Sequence, residues 1–247
     1  MKSLASIWSF FAIALVVVVG FFLQLLLAIV TLPFDRRRVV AGRFFRLMAV
    51  TAVKMIPSWH FRAVDPSVKG PQRRTVVVSN HASNADVFLI SHLPWEMKWL
   101  GKSSLFKIPL LGWSMWLAGD IPVHRGARGS VETAMRRCAF WLERDMPVMI
   151  FPEGTRSLDG QLGPFKDGAF RLAIETQSDL LPLAVAGTHD ALPKHTWKFG
   201  NARGRVIVGT PINTAGMKME DVPQLRELAR AQIVELQGKL SASTAAA

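Results

Sequence analysis

The chain has 247 residues, 50% of them hydrophobic and 19% charged, which excludes a disordered protein and allows one sizeable core. Its single cysteine excludes an intrachain disulfide framework and a cysteine-built zinc site. Lysine and arginine number 30 against 18 acidic residues, a formal charge of +12 that suits acidic partners, and a mean hydropathy of +0.24 favours membrane contact over nucleic acid.

The first predicted element is apolar. From Leu4 to Leu32 no residue is charged, and Ser6, Ser9, Gln24 and Thr31 are its polar groups. As a helix it spans about 40 Å, enough to cross a hydrocarbon core with tilt. A cleaved signal peptide has a shorter apolar region of ~7–15 residues, so a retained anchor is expected. Only Lys2 precedes the segment, whereas Arg36, Arg37, Arg38, Arg43 and Arg46 follow it. That bias puts the downstream domain on the cytoplasmic side, as expected at a bacterial inner membrane. Phe44 to Trp59 is shorter, interrupted by Arg46 and Lys54, and reads as an interfacial amphipathic helix. A two-helix hairpin dipping into one leaflet fits the same residues.

Beyond Pro71 short β-branched runs alternate with helical stretches. Predicted strands are Thr75–Ser79, Lys98–Gly101, Asp120–Val123, Val148–Phe151, Leu181–Val185 and Arg205–Gly209; predicted helices are Asp86–His92, Ser130–Arg144, Gly168–Thr176 and Val222–Leu240. This alternation predicts an α/β fold with a largely parallel central sheet flanked by helices. Residues 1–60 are thus the membrane element, 61–240 the α/β domain and 241–247 (SASTAAA) a disordered tail.

Three stretches carry chemistry. The first is Asn80-His81-Ala82-Ser83-Asn84-Ala85-Asp86, directly after the strand TVVVS. Residues five apart on a helix diverge, so His81 and Asp86 meet only if His81 lies in the turn and Asp86 in the first helical turn. Asp86 then orients the imidazole and leaves its second nitrogen as a base. His60 and Asp65 share the spacing, but no buried strand precedes them, so they read as surface. The second stretch, Lys102 to Arg125, interleaves Phe106, Trp113 and Trp116 with cations. It reads as a hydrophobic loop covering the sheet or as an acyl-chain groove, with Arg125 directed at a phosphate. The third, Phe151 to Ser157, follows the strand VMIF. Gly154 admits close approach of an anion to the backbone, Thr155 adds a hydroxyl and Arg156 a guanidinium fork. Glu153 orients Arg156 or accepts from a substrate hydroxyl, and Lys166 adds positive charge downstream.

In this order and at these separations, the three blocks resemble the glycerolipid acyltransferase family, typified by the 1-acylglycerol-3-phosphate (lysophosphatidic acid) acyltransferases. Leu181-Pro182-Leu183-Ala184-Val185 resembles a fourth block of that family. The resemblance implies acyl transfer from a thioester, acyl-coenzyme A or acyl carrier protein, to the hydroxyl of lysophosphatidic acid, yielding phosphatidic acid. It implies catalytic roles for His81 and Asp86, and acceptor binding by Arg125, Glu153, Gly154, Thr155 and Arg156. It also implies no metal, no cofactor and no covalent acyl-enzyme.

Three other readings differ in their sequence requirements. Another lyso-lipid acceptor, such as a lyso-ornithine lipid, uses the same blocks. A serine hydrolase needs G-x-S-x-G, and Gly112-Trp113-Ser114-Met115-Trp116 lacks the second glycine. A nucleic-acid or anionic-lipid adaptor lacks a recognisable binding motif, and the charges are scattered. Cys138 falls on an amphipathic helix and is expected to pack.

Overall fold

The computed structural model describes residues 2–65, 67–71, 74–124, 126–157, 160–193 and 196–245. Two helices open it, α1 (Lys2–Thr31) and α2 (Val39–Met55). The helix expected from Phe44 to Trp59 therefore starts and ends earlier. Asp35 in the connection sets that start, its carboxylate accepting the Val39 and Val40 N–H groups at 2.7 and 2.8 Å. Such a carboxylate satisfies free amides at a helix N-terminus.

The two helices pair along their length. Trp8 Nε1 donates to Met55 O at 2.8 Å, Gly20 lies against Met48, and Gln24 Nε2 donates to Ala41 O at 3.0 Å. Positions ascending on α1 meet positions descending on α2, so the pair is an antiparallel hairpin. Ser6, Ser9, Ala12, Gly20, Phe21, Gln24 and Thr31 are buried, at steps that place them on one helical face. Leu4, Ile7, Phe11, Val18, Phe22, Leu26 and Ile29 face outward. The hydroxyls and the amide thus turn inward and the large apolar groups outward, the reverse of a water-facing helix.

Seven strands form one sheet: β1 (Arg62–Ala63), β2 (Thr75–Ser79), β3 (Lys98–Lys102), β4 (Ile121–Val123), β5 (Val148–Ile150), β6 (Asp179–Ala186) and β7 (Arg205–Val208). Their order is β1-β7-β6-β2-β5-β3-β4, and every pairing is parallel except β6 with β7. Five more helices complete the fold: α3 (Asp86–Ile90), α4 (Leu111–Ala118), α5 (Arg128–Leu142), α6 (Gly168–Glu175) and α7 (Val222–Ala245). Alternate residues of β2 enter two cores. Val76 and Val78 pack with α5, α6 and α7, while Val77 packs with α2 and α3. Both faces are covered, which is why the strands read as unbroken apolar runs.

The expected strands and helices recur with small boundary shifts, and three features differ. β1 has two residues, too few to show a period, and exists through its pairing with β7. The stretch expected as a loop contains α4. Its glycines mimic loop punctuation, yet Gly112 is there because any side chain would strike the Phe106 backbone, and Gly119 (φ 83°) ends the helix in the left-handed region. The expected disordered tail is helical through Ala245, since α7 continues across its alanines and serines; Ala246 and Ala247 lie outside the described residues.

A buried charge cluster joins α2 to the sheet. Lys98 Nζ donates to Glu96 Oε1 at 3.2 Å and to the carbonyls of Arg38 and Ala118 at 2.9 and 2.8 Å. Arg46 of α2 pairs with Asp120, whose Oδ1 also accepts Trp99 N at 3.0 Å. Glu96 presses so closely on α2 that Gly42 has no room for a side chain. Burial raises the Glu96 carboxyl above its ordinary value and lowers the Lys98 ammonium, each opposed by its charged neighbours.

Candidate functional site

The carboxyl ends of three adjacent parallel strands, β6, β2 and β5, converge on one point. In open α/β sheets that edge is where ligands bind. His81 follows β2, Glu153 follows β5 and Thr188 follows β6.

His81 lies in the turn and Asp86 is the first residue of α3, the arrangement the spacing required. His81 Nδ1 and Asp86 Oδ2 are 2.8 Å apart. The same carboxylate oxygen accepts the Ala82 and Ser83 N–H groups at 2.8 and 2.9 Å, and Oδ1 accepts the Thr188 hydroxyl. Asp86 is wholly buried, and a buried carboxylate needs such donors. An acceptor-only carboxylate facing Nδ1 fixes the proton there and leaves Nε2 as the imidazole's lone-pair nitrogen. The His81 ring stacks on Phe151, centroids 4.0 Å apart and planes 14° off parallel. Two neighbours therefore set its plane and one sets its tautomer.

The main chain around His81 is equally constrained. Its N–H donates to Glu153 Oε1 at 2.7 Å, and its carbonyl accepts Ser157 N at 2.9 Å. Asn80 extends the β2–β6 ladder through its side chain, donating to Val185 O at 3.0 Å and accepting Val185 N at 2.9 Å. The Glu153–Ser157 loop thus wraps the backbone that carries His81.

Glu153 is held between two loops. Oε1 holds His81 N and Oε2 holds Gly163 N at 2.9 Å, so both oxygens brace loops. Burial raises its carboxyl above the ordinary value, with those two N–H groups pulling the other way. Gly154 is left-handed (φ 69°), a conformation that favours glycine, and a Cβ there would lie 3.0 Å from Lys166 Nζ. The open side of this turn is therefore occupied by a lysine. Thr155 is exposed, and Arg156 and Ser157 are half-buried in the same loop. Arg125 lies outside the described residues. His60 is exposed, and Asp65 bonds Ser67, so that pair does not meet. Cys138 is buried in α5 with its thiol pushed up to about 12 by desolvation, as a packing residue would be.

Thr188 is the residue the sequence reading missed. A signal existed, because it is a polar residue three positions beyond the predicted strand Leu181–Val185, at the same edge. Thr188→Val keeps the shape and strips a donor from Asp86. The expected loss is about 1–3 kcal/mol of stability, together with reduced turnover, read by thermal melting and initial rates. A variant with unchanged turnover would remove Thr188 from the orienting network.

Of the Lys102–Arg125 stretch, Leu111–Ala118 is helical, and Arg125 lies outside the described residues. An apolar groove of about 540 Å³ lies elsewhere, lined by Leu27, Val40, Phe44, Leu47, Val50 and Leu93 among others. Among the described residues, no cluster of three or more His, Cys, Asp or Glu side chains is placed to hold a metal ion.

Residues 50–186 match the family model described as Acyltransferase. The chain is 32% identical over 213 residues to 1-acyl-sn-glycerol-3-phosphate acyltransferase alpha of Ovis aries, covering 83% of this chain and 73% of that protein. It is 30% identical over 175 residues to 1-acyl-sn-glycerol-3-phosphate acyltransferase of Haemophilus influenzae, covering 68% and 72%. It spans 52% of the length of a Chlamydomonas reinhardtii relative and 40% of a Brassica napus one. The crystal structure of the 1-acyl-sn-glycerophosphate (LPA) acyltransferase PlsC from Thermotoga maritima superposes with a TM-score of 0.77 at 23% identity, over 96% of this chain and 98% of that one.

Proposed function

The chain belongs to the acyltransferase family, and from that membership we propose that it transfers an acyl chain from a thioester to the free hydroxyl of lysophosphatidic acid, producing phosphatidic acid. The observation that carries the chemistry is His81 Nε2, held as a lone-pair nitrogen at the strand edge by the Asp86 contact to Nδ1. The acceptor hydroxyl gives its proton to Nε2 as its oxygen attacks the thioester carbonyl. The tetrahedral intermediate expels the thiolate, breaking the C–S bond, and the imidazolium returns the proton to sulfur. No acyl-enzyme is needed, so no serine or cysteine nucleophile is required.

Arg156, in the loop clamped to His81, supports a phosphate-bearing acceptor, since guanidinium binds phosphate oxygens in pairs. Arg125 is proposed to add a second cation. The donor is acyl-coenzyme A or acyl carrier protein. The outward apolar face of α1, a segment long and apolar enough to cross a membrane, supports a membrane-bound enzyme. Because α1 packs on the domain along its length, the hairpin is proposed to lie in the cytoplasmic leaflet of a bacterial inner membrane rather than to pass through it.

The test is acyl transfer from labelled acyl-coenzyme A and labelled acyl carrier protein to lysophosphatidic acid and to a phosphate-free lyso-lipid. Turnover is expected with lysophosphatidic acid. Equal or faster turnover of the phosphate-free acceptor would overturn the acceptor assignment while leaving acyl transfer in place.

A further inference from the structure

Off the hairpin, α4 and the turn before it carry an outward apolar surface. Trp113 and Trp116, three residues apart on α4, are 53% and 42% exposed, and Leu105 and Ile108 are exposed beside them. The opposite face, Gly112, Ser114, Met115 and Ala118, is buried. Bulky apolar groups on the water side of a helix mark a contact surface.

Position says what covers it. The Trp113 ring lies 5.6 Å from Phe21 of α1, and Gln24 Nε2 of α1 donates to Ser114 O at 3.1 Å. The exposed Trp113 therefore sits beside α1, at the level of residues 21–24. Cations rim the tryptophan face. Arg137 lies over the Trp116 ring at 5.5 Å, Arg38 donates to Trp116 O at 2.5 Å, and Lys107 is exposed in the turn before α4. Tryptophan between apolar groups and cations is the composition of a bilayer–water boundary.

We propose that Trp113 and Trp116 form a second membrane contact, embedded with α1 in an anionic phospholipid leaflet, and that this contact sets the catalytic edge at the bilayer surface. This rests on the reading of α1 as the membrane element. The geometry gives the contact its purpose. α4 hangs from the carboxyl end of β3, and β3 pairs with β5, whose carboxyl end leads to Glu153 and the loop that clamps His81. Fixing α4 in the leaflet fixes the height of His81 above it. A long-chain lyso-lipid then needs little displacement from the membrane to reach Nε2, whereas a water-soluble acceptor gains nothing from the contact.

The test uses the full chain reconstituted into vesicles of phosphatidylcholine and phosphatidylglycerol. Trp113→Cys, Trp116→Cys, Leu23→Cys on the outward face of α1 and Glu132→Cys on exposed α5 are each labelled with an environment-sensitive fluorophore. Buried Cys138, its thiol pushed up to about 12, does not compete for the label. Lipid-borne quenchers are expected to quench positions 113, 116 and 23 alike and to leave 132 unquenched. Quenching at 23 without quenching at 113 and 116 overturns the proposal. An unquenched probe at 23 removes the membrane reading of α1 and the proposal with it. As a second readout, the double variant Trp113→Ser, Trp116→Ser is expected to lose several-fold turnover of vesicle-borne lysophosphatidic acid and none with a water-soluble short-chain acceptor. Equal losses on both acceptors would assign the tryptophans to folding instead.

Discussion

His81→Ala is expected to lower acyl transfer by about 10²- to 10⁴-fold, the contribution of a positioned general base. The loss is expected to fall on turnover, because the role proposed for the ring is to take the acceptor's proton and the loop around it is held by main-chain bonds. Glu153 and Ser157 hold the backbone of residue 81, not its side chain. Asp86 keeps the Ala82, Ser83 and Thr188 donors. The variant should therefore fold, and circular dichroism with thermal melting checks that separately from initial rates. Asp86→Asn complements it. An amide that turns its NH₂ toward the ring moves the imidazole proton to Nε2, and the base is lost with the geometry kept. Both variants should fall together. Full activity in His81→Ala would leave the proposed reaction without its base.

Glu96→Ala is expected to produce the largest loss of stability, about 3–5 kcal/mol, because it leaves a buried cation without its counter-ion. Lys98 is fully buried, and its carboxylate partner at 3.2 Å is Glu96. The carbonyls of Arg38 and Ala118 that remain supply dipoles but no charge. Arg46 would also lose a carboxylate 3.8 Å away. For a chain of this size the shift in melting temperature is roughly 10 °C. The double variant Glu96→Leu, Lys98→Met should recover much of this, since replacing a buried ion pair by apolar groups is often neutral. The cluster ties α2 to β3 and β4, so Glu96→Ala should also loosen the hairpin, visible as faster proteolysis between residues 32 and 38. Failure of the double variant to recover would show that the charges specify the docking of α2 as well as stabilise it.

Both predictions rest on contacts of different legibility. Lys98 was legible as a strand residue but not as half of a buried pair. Periodicity marks which face of a strand is covered, and it does not record that Glu96 turns inward beside Lys98 or that Arg46 of α2 meets Glu96 and Asp120 there. The hairpin was one of two readings of the first 60 residues. The antiparallel pairing of α1 with α2 comes from contacts that hydropathy does not encode, among them Trp8 with Met55 and Gln24 with Ala41.

What the sequence by itself determined is the local part. The apolar helix, the alternation of strands and helices, and the meeting of His81 with Asp86 all follow from residues within one helix, strand or turn, where spacing fixes geometry. Tertiary structure alone decided the rest. Asp86 takes a hydroxyl from Thr188, 102 residues away, and Glu153 holds the His81 main chain across 72 residues. β5 lies between β2 and β3, although β3 and β4 precede it in the chain. The physical reason is that a parallel sheet brings strand ends together through its pairing order. Any residue just beyond a strand is a candidate for the site until that order is known.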